Sequence, residues 1–399
     1  MRNITVLTFH SVVNHVDNRP WAFLSTSVKA FEKTLKYLKK KKYQTITLKE
    51  LYEWKQKGVD DGVKRVLIHF DDGFLDNYTI AYPMLKKYGF KATVFISPDF
   101  VDPRPIVREL QYENILAGKT VEMENVWGYM SWEELKIIDA EGVIDVQAHA
   151  MTHTWYPCEG VLADWHHPND SYYWLAWNKN PAIKPFWLTQ YDETAVDFGY
   201  PVFKYAKSIS GKRFIPSDEV VEFCKSYYEE HVVNSNPEEK QDHLNSVNNI
   251  LKEKFADNLG TYESDDQFRQ RLETELVASK KIDEEKLGKK IEFLAWPGGA
   301  VSSLAYDVAR EAGYISWTAK GKPYNELTDS LETIYRVGGW SGIKIKSRPN
   351  LFIEWLFIKM QLHRAKGPKN LLNRFFAFIG NKYRNRHINK CRKKGENWK

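Results

Sequence analysis

Asp71 and Asp72 stand side by side in the stretch VLIHFDDGFLDNY, just after an apolar run and just before Gly73. Adjacent carboxylates repel each other and lose solvation at a buried strand end, while the glycine lets the backbone turn sharply. Acidic residues with Gly also make ordinary turns, so the pair means little without partners. HAMTH supplies them: His149 and His153 lie four residues apart. Two imidazoles at that spacing reach one ion from a helical turn or a tight loop. With Asp72 they form a set of one carboxylate and two imidazoles, leaving positions open for water and substrate, as a catalytic zinc or similar ion requires. Asp71 is then a spare carboxylate beside the ion. Each His taken singly reads as a hydrogen-bonded residue at a strand end; the trio reads as a metal site.

Such residues must be delivered to one place by regular elements. ITVLTFH (4–10) reads as a strand, and SVKAFEKTLKYLKKK (27–41) as an amphipathic helix begun by Ser or Thr. YQTITL is a short strand and KELYEWKQK a helix. RVLIHF (65–70) is a buried strand that ends on Asp71. LDNYTIAYPMLKKYG is a helix closed by Gly89, and KATVFIS the next strand. SWEELKIIDAEG (131–142) carries a capping box and leads into the strand of VIDVQAHAMTH. The rhythm returns at KIEFLAWPGG, SSLAYDVAREAG, YISWTAKG and ETIYRVGG. Repeated βα units with buried strands imply a parallel sheet, open or closed into a barrel, with reactive groups at the carboxyl ends of the strands. His10, Asp71, Asp72, His149, His153 and Trp296 all fall just beyond a predicted strand.

Residues 154–290 break the rhythm, first with an aromatic, Pro-containing stretch and then with polar, charged helices. They read as an insertion capping the rim. The 399 residues therefore divide into 1–153, the insertion 154–290, a return to the βα pattern at 291–350, and a tail at 351–399. The net charge of +6 is unevenly spread. The tail holds 13 Lys/Arg against 2 Asp/Glu, which leaves the first 350 residues at −5. A basic tail could suggest nucleic acid, but the acidic body and the carboxylate-rich site argue against it. Cys158, Cys224 and Cys391 are odd in number and scattered, which suggests neither a disulfide framework nor a Cys-based zinc site. MRNITVLTFH enters a strand directly, without the pattern of a secretory signal, and no apolar run reaches membrane-spanning length. The expected location is the cytoplasm.

HFDDG and HAMTH, in that order and on these elements, resemble the first two motifs of the polysaccharide deacetylase family (the NodB-homology or carbohydrate esterase 4 group). LTFHSV and AWPGG resemble the branch that acts on poly-N-acetylglucosamine-like material. The resemblance covers about residues 1–155 and 290–340. It implies a distorted (β/α) barrel bearing the insertion and a basic helical tail. It also implies that Asp72, His149 and His153 bind one divalent ion, zinc or else cobalt, nickel or manganese. Asp71 would be the general base in hydrolysis of an acetamide.

Two family features are missing. AWPGG carries no Arg to orient the base, and no Leu-x-Leu-x-His motif supplies a general acid. His10, at the end of the first strand, is assigned as that acid. His69 is expected to face away from Asp71 in a structural role. Trp296, Pro297, Gly298 and Trp155 are assigned to substrate binding, and His166 and His167 to loops. The expected activity is removal of N-acetyl groups from an amino-sugar glycan or a lipid-linked glycan precursor. The alternatives are an O-acetyl esterase and a non-catalytic carbohydrate-binding protein on the same fold. The tail mixes Trp, Phe, Leu and Ile with Lys and Arg at helical spacing, which suits peripheral contact with the cytoplasmic face of a membrane. Packing of 351–362 on the barrel is the competing reading.

Overall fold

The computed structural model describes residues 3–13, 24–338, 358–359 and 362. Nine strands form its main sheet, and every pairing in it is parallel. From one edge the order is Thr333–Tyr335, Ser316–Ala319, Phe293–Leu294, Ile144–Ala148, Ala92–Ile96, Arg65–Phe70, Thr5–Phe9 and Val337–Gly338, with Gln44–Thr45 also paired to Arg65–Phe70. The two edges belong to one segment. Residues 333–335 pair with Ser316–Ala319, and 337–338 pair with Thr5–Phe9, so the segment 333–338 draws the sheet into a nearly closed barrel.

The helices form where the sequence caps them. Ser27 caps Val28–Lys40; Thr47 with Glu50, and Ser131 with Glu134, make capping boxes for Leu48–Lys57 and Trp132–Ala140. Gly89, in the left-handed conformation, ends Tyr82–Tyr88.

Alternation along each strand sorts its side chains between the two faces. Leu7, Phe9, Val66, Ile68 and Phe70 share a core with Phe31, Leu35 and Leu38 of the first helix, and Phe9 and Phe31 meet edge to face at 5.2 Å. Val6, Leu67, Phe95, Phe293, Ala295 and Ile334 form a separate core from the other face. Burying a Leu or Phe side chain contributes on the order of 2 kcal/mol, so register is strongly specified. His69 and Asp71 continue the Leu67 series.

The aromatic stretch that lacks sequence periodicity is a strand, Trp155–Trp165, antiparallel to Pro201–Lys207, with irregular register on either side of Leu162. Those irregularities, with Pro157 and Gly160 in the strand, erase the alternation by which strands are recognised. Of the tail, only Ile358, Lys359 and Leu362 are described. Ile358 and Leu362 are buried in the main core. The remainder of 351–399, on which the membrane expectation rests, lies outside the described residues. No helix among the described residues is long and apolar enough to cross a membrane.

Candidate active site

Register brings the strand ends level. Phe9 pairs with Phe70, Ile96 with Ala148, and Ala148 with Leu294, so the residues that follow are His10 beside Asp71 and Ser97, His149 and Ala295 in a row. Backbone hydrogen bonds carry the ladder one residue further: Asp71 N–H to Phe9 O at 3.0 Å, His149 N–H to Ile96 O at 2.7 Å, and Ala295 N–H to Ala148 O at 3.0 Å. Beyond those ends the chain turns steeply. Asp72 (φ 72°), Ala150 (φ 60°) and His153 (φ 45°) all occupy the left-handed region. A non-glycine residue pays roughly 1–2 kcal/mol there, and such strain persists where surrounding contacts over-determine it. Gly73 (φ 69°) adds a steric requirement, because a Cβ there would lie 2.8 Å from Ile96 Cγ2.

Those turns bring Asp72, His149 and His153 together. Their ligand atoms lie within 4.8 Å of one another. Asp72 Oδ1 is 3.4 Å from His149 Nε2 and 3.3 Å from His153 Nε2. A tetrahedral ion with bonds of about 2.0–2.1 Å holds its ligand atoms about 3.3 Å apart, so the spacing fits a zinc-sized cation. His149 Nδ1 donates to the Ala295 carbonyl at 2.7 Å, a bond that turns the Nε2 lone pair toward Asp72. Burial, reinforced by the Lys207 cation, pushes the His153 pKa well below its ordinary value. It is therefore the neutral imidazole that a metal needs. Burial works to raise Asp72, but its coupling to His153 and then to His149 brings it down to about 2.

Asp71 faces a second set of partners. The barrel-closing segment carries Arg336 between its two pairings, and Arg336 Nη1 donates to both Asp71 oxygens, at 2.9 and 2.8 Å. His69 Nε2 donates to Asp71 Oδ1 at 2.6 Å. Asp71 is 4% exposed and His69 fully buried. Burial raises the Asp71 pKa, yet Arg336 and then His69 outweigh it and hold the carboxyl well below the usual range. Burial also brings His69 down to about 4 against the pull of Asp71, so the ring is a neutral donor. The expectation that His69 faces away from Asp71 is thus corrected, because residues two apart on a strand share a face. The Arg absent from AWPGG is supplied by the closing strand at Arg336. The visible signal was a basic residue inside ETIYRVGG, on the last strand of a sheet that could close.

His10 Nε2 lies 3.7 Å from Asp71 Oδ2. Its strand end is fixed by Asp76, which accepts from Ser11 Oγ and from Val12 N–H (2.9 Å), and by Asn77, which donates to His10 O at 2.8 Å. Burial lowers the His10 pKa against the pull of Asp72 and Asp71.

Trp155 is half-buried, edge-on to His153 at 5.9 Å, and carries the Lys207 ammonium 3.3 Å over its ring. Lys207 was not singled out from sequence. It packs against Gly298, and burial brings it down to about 7 although Asp72 pulls it up. Gly298 is exposed. Trp296 and Pro297 are buried. Trp296, 1% exposed, packs between Tyr306 and Trp317, so it belongs to the core and offers no free face to a sugar. Trp165, Trp177 and Trp187 are likewise fully buried. His166 is bonded to Asp170 at 2.6 Å and to Glu193 O at 2.9 Å, away from the trio, as a loop residue.

Residues 58–174 match the polysaccharide deacetylase family model. YxkH of Bacillus subtilis (strain 168), which carries a family-level polysaccharide deacetylase name, is 41% identical over 93 residues, 23% of this chain and 31% of that protein. A poly-beta-1,6-N-acetyl-D-glucosamine N-deacetylase of Staphylococcus aureus (strain MSSA476) is 43% identical over 109 residues, 27% of this chain and 35% of that protein. The matched stretch thus spans about a third of each curated relative. A de-N-acetylase structure from Aggregatibacter actinomycetemcomitans superposes over 84% of this chain and 94% of its own, with a TM-score of 0.50 at 16% identity. That likeness concerns the fold: a (β/α) barrel of the deacetylase type. His10, Lys184, Lys207, Glu275 and Arg336 lie outside the matched residues. His69, Asp71, Asp72, His149 and His153 all lie in the stretch that matches the polysaccharide deacetylase family model.

Proposed function

We propose that this protein is a metal-dependent hydrolase that removes N-acetyl groups from an amino-sugar glycan. One observation carries the reading: three ligand atoms spaced for a small cation lie beside a carboxylate that two donors keep ionised. When bound, a divalent ion of the zinc type lowers the pKa of water and polarises the acetyl carbonyl. Asp72, His149 and His153 hold it. Asp71 takes the proton of the attacking water, and Arg336 and His69 keep that carboxylate oriented and unprotonated until it does. His10, adjacent to Asp71, relays that proton from Asp71 to the departing amine. Half-buried Trp155 and exposed Gly298, the members of the expected substrate set that reach solvent, border the sugar together with Lys207.

The Staphylococcus aureus relative, named for poly-β-1,6-N-acetylglucosamine, supports a glycan substrate. The basic, aromatic composition of 351–399 supports a lipid-linked glycan on the cytoplasmic face of a membrane. Acetate release is measured on nucleotide-linked N-acetylhexosamine, soluble N-acetylglucosamine oligomers, O-acetyl xylan and polyprenyl-linked glycans in liposomes. The oligomeric or lipid-linked N-acetyl substrates should lead. Faster release from O-acetyl xylan would favour the esterase reading. No release from any substrate by the zinc- or cobalt-loaded protein would favour a non-catalytic binder.

A further inference from the structure

The two histidines of the candidate metal site are held by different parts of the molecule. His149 is fixed by barrel strands: Ile96 O accepts its N–H, Ala295 O accepts its Nδ1–H, and Ser97 Oγ donates to its carbonyl at 2.9 Å. The loop that leads to His153 is tied elsewhere. Glu275 accepts from Met151 N–H at 3.1 Å, from Thr152 N–H at 3.0 Å and from the Thr152 hydroxyl. Lys184 donates to the Thr152 carbonyl at 3.0 Å and to Asp99 Oδ2 at 2.7 Å. Just past His153, Thr154 donates to Asn178 Oδ1 at 2.7 Å. Glu275, Lys184 and Asn178 all come from the segment between the barrel strands Ile144–Ala148 and Phe293–Leu294.

Glu275 and Lys184 are 1% and 2% exposed, so neither charge is there for solubility. Each ends on Thr152, Glu275 at its N–H and hydroxyl and Lys184 at its carbonyl, just before His153 in the left-handed conformation, the kind of backbone that relaxes unless its neighbours forbid it. Glu275 sits in a wide helical turn, Thr274–Ala278, inserted between the regular helices Asp265–Glu273 and Ser279–Leu287. Wide turns of this type are rare and occur often at functional sites.

We infer that Glu275 and Lys184 are positioning residues of the metal centre, holding His153 in ligating geometry by clamping Thr152 from both sides. The inference rests on the reading that Asp72, His149 and His153 bind an ion. The insertion thereby becomes part of the metal site, which makes its folding and metal affinity one linked equilibrium.

The test is Co²⁺ and Zn²⁺ affinity of the full chain, measured by competition with a chromophoric chelator, together with the visible spectrum of the Co²⁺ form. Partners that orient metal ligands typically contribute 10–100-fold in affinity. Glu275→Ala and Lys184→Met should each weaken binding by about that factor and alter the Co²⁺ spectrum. Glu275→Gln, which keeps an acceptor oxygen for the two N–H groups, should recover part of the loss. Lys204→Met removes an exposed ion pair with Glu159 in the same segment and should leave affinity unchanged. Wild-type affinity and spectrum in both Glu275→Ala and Lys184→Met would overturn the inference while leaving the metal site standing. A wild type that takes up no ion would overturn both. If Glu275→Ala fails to fold, Thr152→Val decides, since it deletes only the hydroxyl donor. Several-fold weaker binding supports the clamp, and unchanged binding overturns it.

Discussion

Arg336 and Asp71, 265 residues apart in sequence, meet through one guanidinium nitrogen that donates to both carboxylate oxygens at 2.9 and 2.8 Å. The Arg336 side chain is 16% and that of Asp71 5% exposed, so the pair is largely shielded from water. Removing one partner of a buried pair costs about 3–5 kcal/mol because the other charge is left uncompensated. Arg336→Met should therefore lower stability by about 3 kcal/mol in urea unfolding. Losing the cation also raises the Asp71 pKa. The acidic limb of the kcat/KM profile should consequently move to higher pH, and a limb that stays in place would show that Arg336 does not govern the base.

Asp71→Asn keeps the shape of the base and removes its charge. Metal content should equal that of wild type by elemental analysis, while turnover falls by about 10²–10⁴-fold, the range for loss of a general base. In contrast, Asp72→Ala should lose the ion. A wild-type rate in Asp71→Asn would dismiss the proposed role.

Metal-free protein should lose stability as pH falls from about 6.5 toward 4. His69 is brought down to about 4, and His10 and His153 are also lowered, in each case chiefly by burial. At these three rings the unfolded chain binds more protons than the folded one in that window, so their contribution to stability rises with pH across it. Thermal unfolding of the chelator-treated protein at half-unit pH steps measures the slope. A flat profile would mean that these rings are charged in the folded state.

Gly73→Ala tests the turn that delivers Asp72. The left-handed backbone costs an added side chain roughly 1–2 kcal/mol, and the contact with Ile96 at 2.8 Å adds to it. Lower stability and weaker Zn²⁺ binding should appear together in calorimetric titration and urea unfolding. Gly89→Ala, where a Cβ would meet nothing within 4 Å, should lower stability and leave Zn²⁺ affinity unchanged.

What could be read in advance follows from range. RVLIHF and VIDVQA announce buried strands by composition, and the chemistry follows within one to five residues, so Asp71, Asp72, His149 and His153 were legible. Ser131 with Glu134 and Gly89 announce helix ends by rules that act across a single turn. Arg336 and Glu275 reach Asp71 and Thr152 from 265 and 123 residues away; the basic residue in ETIYRVGG hints at a partner only once the sheet is taken to close, and nothing local in LETELV marks one. Trp296 misled because an aromatic residue at a strand end has the same appearance whether the fold buries it or exposes it. His69 needs no long-range information: two residues before Asp71 on one strand, it shares that carboxylate's face.

The barrel closes on a hexapeptide that forms both of its edges, and this has a consequence in time. At roughly 5–20 residues per second of synthesis, Arg336 follows Asp71 out of the ribosome by some tens of seconds. Until it docks, the sheet is open and Asp71 lacks its guanidinium partner. Pairings of such long sequence separation form late because loop closure must be completed first. The nascent chain thus carries its ligands early and its oriented base last, so hydrolytic competence should appear in a single late step rather than grow with chain length.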